Sequence, residues 1–184
     1  MTLNNWQVGK IGELCESIFS GGTPNTRNKE FWGGELGWLS SGETRNRFVE
    51  TTEKTITNQG AEKSSTRLAS KGDVVMASAG QGYTRGQVSF LHIDTYINQS
   101  VISMRTDEKK LNNLFLFYNL SNRYEELRAL SDSNSIRGSI TTKLIKSMDI
   151  NYPNLETQEK IVGILSTLDY RIEENKKINH HLMA

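Results

Sequence analysis

The residues best suited by type and spacing to do chemistry stand in a glycine-punctuated stretch, Ser78-Ala79-Gly80-Gln81-Gly82-Tyr83-Thr84-Arg85-Gly86. Two glycines one residue apart open the turn that cradles a dinucleotide phosphate, but that fingerprint needs its third glycine where Arg85 stands. No Gly-Lys-Ser/Thr follows any glycine, so a P-loop is excluded as well. A base methyltransferase needs Asn/Asp-Pro-Pro-aromatic, yet the only prolines, Pro24 and Pro153, are isolated. A His-centred triad or metal site would have to rest on His92, which sits between Leu91 and Ile93 and reads as structural. The single cysteine, Cys15, excludes an internal disulfide framework and any Cys-based zinc site. No recognisable catalytic motif of these kinds is encoded in this chain.

What remains is a scaffold that presents loops rich in Ser, Thr, Asn, Gln, Arg and Tyr. Such side chains donate to phosphates, and Arg, Asn and Gln can make paired hydrogen bonds to base edges in a major groove. Composition by itself is a weak pointer, because ordinary surface loops are polar too.

The elements that must position these loops can be read in order. Residues 6–19 alternate apolar and polar positions around Gly9 and Gly12, giving a strand, a tight turn and a second strand. Residues 20–28, Ser-Gly-Gly-Thr-Pro-Asn-Thr-Arg-Asn, form a loop. Phe31-Trp32-Gly33-Gly34 is an aromatic anchor beside a turn, and residues 36–39 are a short buried strand that delivers Ser40-Ser41-Gly42-Glu43. Trp32 and Trp38 have apolar neighbours and read as core pins. Residues 44–70 are polar, with one short helix near 58–63. Strands at 74–77 and 87–91 flank the glycine loop, and residues 97–104 form another strand. Residues 111–130 take helical period and should cover the sheet. A loop at 131–139, a helical turn at 142–146 and a last strand at 148–152 lead to Pro153.

Beyond Pro153 the pattern becomes one long helix with Asn154 as N-cap and Glu156 and Glu159 in its first turns, where the dipole favours them. Ile161, Leu165, Leu168, Ile172, Asn175, Asn179 and Leu182 recur at alternating steps of four and three, which is a heptad seam. Either this helix packs on its own domain, or its seam takes a partner helix. No Gly cap or Pro closes the helix before residue 184, so the expectation is that a longer chain or a second molecule completes it.

The length suits one domain of ordinary size plus an appendage. Net charge is +1, so no global basicity advertises nucleic acid, but 63–105 holds five basic residues against two acidic ones, and 133–146 holds three against none. Those segments are candidate positive surface or simply solvated faces. Neither a signal pattern nor an apolar run near eighteen residues is present, which leads to the expectation of a soluble, cytoplasmic protein without a membrane partner.

Trp6-Gln-Val-Gly-Lys-Ile-Gly-Glu-Leu14, Gly21-Gly-Thr-Pro24, Phe31-Trp-Gly-Gly34, Trp38-Leu-Ser-Ser-Gly-Glu43, Gly80-Gln-Gly-Tyr-Thr-Arg-Gly86, Asn98-Gln-Ser100 and Pro153-Asn-Leu-Glu-Thr-Gln-Glu-Lys-Ile161 occur in this order. The set resembles the specificity subunit of type I restriction-modification systems over nearly the whole chain. Two positions depart from the usual pattern: Leu36-Gly37-Trp38 and Ile150-Asn151-Tyr152-Pro153 each lack a rigidifying proline.

The resemblance implies an α/β (α+β) target recognition domain with a mixed sheet, residues 1–152, followed by a conserved spacer helix, residues 153–184. It implies a subunit that reads double-stranded DNA and is not an enzyme. Modification subunits carrying S-adenosylmethionine methylate adenine, and restriction subunits use ATP and Mg to translocate and cut; this chain is expected to bind no cofactor or metal itself. Family members have two recognition domains and two antiparallel helices, so one domain and one helix amount to half a subunit. The expected assembly is a homodimer through Ile161, Leu165, Leu168, Ile172, Asn175, Asn179 and Leu182, reading an interrupted palindrome. The helix from 155 to 182 would be about 42 Å long, against roughly 34–36 Å for one DNA turn. Asn175 and Asn179 either fix register between two copies or are exposed positions of a frayed terminus.

The expected DNA contacts are loop residues: Thr23, Asn25 and Arg27; Ser41, Glu43, Arg45 and Arg47; Gln81, Tyr83, Thr84 and Arg85; Ser133, Asn134, Arg137 and Lys143. Residues common to a family that reads many sequences should hold scaffold or phosphate, so Thr84 and Arg85 are expected in those roles, and base reading is expected of Arg45, Arg47 or Asn134 ahead of them. Glu43 has two readings, acceptor from a cytosine amino group or partner of a nearby Arg. Two other function classes stay open on the residues alone: an assembly adaptor that uses the helix without DNA, and an enzyme with an unrecognised site.

Overall fold

The computed structural model describes residues 6–80, 82–134 and 138–182, without the side chains of 133, 134 and 180–182. Gln81, Arg137 and the side chains of Ser133, Asn134 and Leu182 therefore lie outside the described residues.

The chain enters as β1 (Gln7–Lys10) and a one-turn helix α1 (Ile11–Leu14), where the glycines predict a tight turn. A helical turn puts Ile11 and Leu14 on one side, and both are buried. β2 (Cys15–Ser20), β3 (Trp32–Leu39), β4 (Phe48–Val49), β5 (Lys54–Ile56), α2 (Asn58–Glu62) and β6 (Arg67–Ala69) follow. Next come β7 (Val74–Ala77), β8 (Val88–Leu91), β9 (Thr95–Ile97), β10 (Val101–Thr106), α3 (Asn113–Ser121) and α4 (Tyr124–Asn134). The chain finishes with α5 (Thr142–Ser147), β11 (Asp149–Tyr152) and α6 (Leu155–Leu182).

Three sheets result, ordered β2-β10-β7-β8-β4, β5-β3-β9-β6 and β1-β11. The five-stranded and four-stranded sheets are mixed, because β4 runs parallel to β8 and β3 parallel to β9. The five-stranded sheet is buried on both faces. Ile18, Val74, Met76, Ile102 and Met104 face a helical layer of Ile11, Leu116, Phe117, Leu120 and Ile145, joined by Leu111 from the segment before α3, while Phe19, Val75 and Val101 face Leu39, Ala69 and Ile97 of the four-stranded sheet. Two-sided burial is why Val74 to Ala77 is apolar at every position.

Where sequence and structure differ, the causes are local. Residues 44–70 hold β4, β5 and β6, whose two or three residues each are too short for period 2 to show. The strand expected over 97–104 is two strands in different sheets, separated by a turn in which Asn98 Oδ1 accepts from Ser100 N at 2.9 Å. The turn expected at Gly33-Gly34 is an irregularity inside β3, with Gly33 at φ +78° and the pairing to β5 shifted between Trp32 and Leu36. Helix α4 runs through 131–134, which composition places in a loop.

One buried charge cluster stiffens the large sheet. Asp73 accepts from Ser103 Oγ, Ser70 N and the Arg105 guanidinium, whose pKa is raised chiefly by that hydrogen bond. Burial, with Asp73 adding to it, pushes the Cys15 thiol up to about 12, so it stays protonated at neutral pH.

β1 pairs antiparallel with β11 from Gln7↔Tyr152 to Lys10↔Asp149, clasping the start of the domain to the strand that leads into α6. Asn154 Oδ1 caps α6 by accepting from Thr157 N at 3.0 Å. One turn later the fully buried Gln158 accepts from Asn112 N at 2.8 Å and donates to the carbonyls of Lys110 and Pro153. Val162 then enters the core. Among the described residues no helix is long and apolar enough to cross a membrane.

Replacing Gln158 by Leu keeps the bulk but strips partners from the part-buried Asn112 amide and Lys110 carbonyl and from the Pro153 carbonyl, whose bond is buried. Gln158→Leu is expected to lower unfolding free energy by about 1–3 kcal/mol, read from the shift in denaturant midpoint.

Candidate nucleic-acid interface

The first loop, between β2 and β3, is glycine-dependent for steric reasons. A Cβ on Gly21 would lie 1.8 Å from the Ile97 carbonyl oxygen, and one on Gly22 2.1 Å from Ser65 Oγ. Its carbonyls hold the two tryptophans: Trp38 Nε1 donates to Gly22 O at 3.2 Å and Trp32 Nε1 to Asn25 O at 3.3 Å, with the rings edge to face at 5.0 Å. The aromatic pair thus pins the loop from below. Thr23 Oγ1 donates to Gln99 Oε1, and Asn25 Oδ1 accepts from Arg27 N at 3.0 Å. Arg27 is exposed.

The second loop, between β3 and β4, is built around Glu43. Its carboxylate, 3% exposed, accepts from Ser40 N, Ser40 Oγ and, across the loop, Glu53 N at 2.8 Å. This is a capping box on a short 3₁₀ turn, so the residue folds the loop. Neither reading of Glu43 from sequence, cytosine acceptor or Arg partner, describes that role. Ser89 Oγ of β8 donates to Asn46 O at 2.6 Å and ties the loop to the sheet. Ser41 uses its carbonyl to accept from Thr44 Oγ1. Arg45 is left on the outside, donating to Gly42 O and to Glu53, each side chain 58% exposed in that ion pair. Arg47 turns the other way and donates from Nε to Asp169 of α6 at 3.0 Å.

The third loop is the β7–β8 hairpin, with Gly80, Gly82 and Gly86 at φ +147°, +59° and +87°. Helix α4 supports it: Tyr124 Oη donates to Tyr83 O at 3.0 Å and Arg128 to Gly82 O at 2.8 Å. Tyr83 projects outward, 82% exposed, and Thr84 is half-buried. Arg85 points inward, 8% exposed, donating to the Gly138 carbonyl and to the Asp132 carboxylate. In this arrangement Arg85 is a strut between the hairpin and the end of α4, not a group presented to a ligand.

These three loops form one surface. Thr26 shares a cleft with Trp32, Glu53 and Lys54; Glu53 pairs with Arg45; Arg45 shares a second cleft of about 450 Å³ with Arg47, Tyr83, Gln87 and Tyr124. Lys143 is exposed on α5, which packs on α1 and β2. No contact places it beside the Arg45 cleft among the described residues. Nor do those residues include any group of three or more His, Cys, Asp or Glu able to hold a metal ion.

A family model described as the type I restriction modification DNA specificity domain matches residues 4–183. The chain belongs to this family. It is 29% identical over 182 residues to the MjaIX specificity subunit of Methanocaldococcus jannaschii, covering 97% of this chain and 41% of that protein. It is 27% identical to the EcoR124I/EcoR124II specificity subunit of Escherichia coli, covering 88% and 40%. The chain thus spans about two fifths of the length of these relatives. The HsdS subunit from Thermoanaerobacter tengcongensis superposes with a TM-score of 0.69 at 22% identity, covering 94% of this chain and 39% of that one. A chain from a type I R-M system, studied for complex assembly and conformational transition, does so at 0.72 and 22%, covering 94% and 40%. The specificity-domain fold, a mixed α/β module followed by a long helix, is that of these structures.

Three parts of the specificity-domain surface escape sequence reading. Tyr124 and Arg128 lie one turn apart on α4, a spacing that also fits an ordinary sheet-covering helix, and Lys54 falls in a segment with no readable pattern. Arg85→Ala is expected to lower the melting temperature and raise protease sensitivity near the 78–86 hairpin, because it removes the link to Asp132 and Gly138. An unchanged melting curve and digestion pattern would contradict the strut.

Proposed function

We propose that this chain is the DNA-reading part of a type I restriction-modification specificity subunit, directing partner subunits to a target without performing chemistry itself. The observation that carries this reading is the family match over residues 4–183. The surface made by the three loops supplies suitable chemistry: Arg45 and Arg27 offer guanidinium groups from short, well-anchored loops, and Tyr83 offers an exposed ring and hydroxyl. Arg45 is the base reader in this proposal, since its pairing with exposed Glu53 is weak and is exchanged for a base edge at small cost. Asn25, Thr23 and Lys54 position the backbone of the duplex. S-adenosylmethionine belongs to modification subunits and ATP with Mg to restriction subunits docked on the same assembly.

The spacer reading rests on α6. Ile164, Leu168 and Ile172 form a stripe 64%, 55% and 51% exposed, adjoining the face that carries Gln158, Val162 and Asp169 onto the domain. Ile161 and Leu165 are half-buried at the boundary between the two faces, so they serve the domain as well as the seam. A second helix of the same kind, from a second copy, covers that stripe, and a two-fold pair of reading domains then selects an interrupted palindrome. Asn175 and Asn179 continue the stripe towards the far end.

Two measurements test this. Arg45→Ala is expected to relax preference at one base position by about 1–3 kcal/mol in competition between cognate and single-substituted duplexes, while binding to scrambled duplex changes little. Equal losses on all duplexes would refute base reading by Arg45. Leu168→Glu with Ile172→Glu is expected to give a folded monomer in sedimentation that no longer prefers split palindromes; a persisting dimer would remove the helix from the interface.

A further inference from the structure

Arg47, two residues from Arg45 in the same loop, has a different environment. Its backbone is locked to the large sheet: Arg47 O accepts from Phe90 N at 3.0 Å, and the preceding carbonyl, of Asn46, accepts from Ser89. Its guanidinium lies 4.8 Å from the ring centre of Phe117 and 5.5 Å from that of Tyr118, a cation on an aromatic floor supplied by α3. Nε donates to Asp169 Oδ1 at 3.0 Å, and Tyr118 Oη donates to the other oxygen, Oδ2, at 2.9 Å. Both carboxylate oxygens of Asp169 are therefore held, and that side chain is 13% exposed. Burial first, and donation to Asp169 second, hold the Tyr118 phenol well above the ordinary tyrosine range, so it remains a donor throughout the stable pH range.

Asp169 is, among the described residues, the last position of α6 that hydrogen-bonds to the domain; beyond it the helix pairs with itself through Glu173–Lys176 and Glu174–Lys177. The first such position inside the helix is Gln158. Two attachment points about 16 Å apart along the axis fix the direction in which the free end points. The second of these points is bonded directly to the loop that carries Arg45.

We infer that Arg47 is a positioning residue, which with Asp169 and Tyr118 sets the angle between the reading loop and the spacer helix and so selects the spacing between half-targets rather than the bases within them. This rests on the proposed reading of α6 as the spacer between two domains. Rotating one half-site by one base pair turns it by about 35° about the duplex, which a rigid joint penalises and a loose one tolerates.

The test compares Arg47→Ala with Asp169→Ala in the full chain, assembled with modification subunits, on a duplex library randomised in half-site sequence and in spacing. Both variants are expected to keep the wild-type base preference and to lose most of the penalty for spacings one base pair off the optimum, and the double variant to behave like either single one. A changed base preference in Arg47→Ala that Asp169→Ala does not share would overturn the joint and make Arg47 a reader. A readout without DNA separates this from the function reading: spin labels at Thr51 and Lys176 should give one narrow distance in wild type and a broadened one in both variants. Unbroadened distances overturn the joint whatever the DNA result. Broadened distances in a protein that selects no duplex support the joint and instead count against the DNA-reading role.

Discussion

The five-stranded sheet carries apolar side chains on both faces, so each face needs its own cover. The helical layer seals one and the four-stranded sheet seals the other. The chain supplies the second cover by crossing back and forth: β2 to β3, β3 to β4, β4 to β5, β6 to β7, β8 to β9 and β9 to β10 each pass from one sheet to the other. Two of these crossings are the loops that hold Arg27 and Arg45. The candidate interface is thus a by-product of how the core is closed, displayed on turns whose ends are anchored in sheets that cannot shift without opening the core.

Loops of this kind keep their shape through a few buried polar contacts. Glu43 gives its carboxylate to two donors of Ser40 in the second loop and to the Glu53 amide of the β4–β5 turn; the two tryptophan indoles hold carbonyls of the first; Tyr124 and Arg128 hold carbonyls of the third. In each case a side chain satisfies backbone groups that no strand or helix could reach, which leaves the outward groups free of structural duty. The same economy explains α6. One of its faces completes the domain through Gln158, Val162 and Asp169, while the neighbouring face stays apolar and open. Packing on its own domain and pairing with a further helix, which read as alternatives in the sequence, are compatible because they use adjacent stripes.

Four arginines show how far site reading from sequence can go. Arg45, Arg47, Arg85 and Arg105 all look like available cations in a polar context. Arg45 is paired only with an exposed glutamate, Arg47 rests on aromatic rings and a helix aspartate, Arg85 is buried against Asp132, and Arg105 closes the Asp73 cluster. Their partners lie 8, 122, 47 and 32 residues away in the chain, three of the four beyond any local pattern. For the same reason the short strands β4, β5 and β6 are illegible: two or three residues form a strand because a neighbour is in place to pair with, not because of a period of their own.

What the sequence determined by itself is what depends on near neighbours. The heptad spacing and Asn154 cap specify α6, the continuous apolar run specifies β7, the glycines specify loops at 20–28 and 78–86, and the ordered motifs specify the family. Only the tertiary structure decided which face of α6 is spent on the domain, that residues 97–104 divide between two sheets, and which arginines remain at the surface. Those outcomes turn on burial and on pairing between residues far apart in the chain. Whether a charge is buried, and what neutralises it, is settled only when the core closes around it.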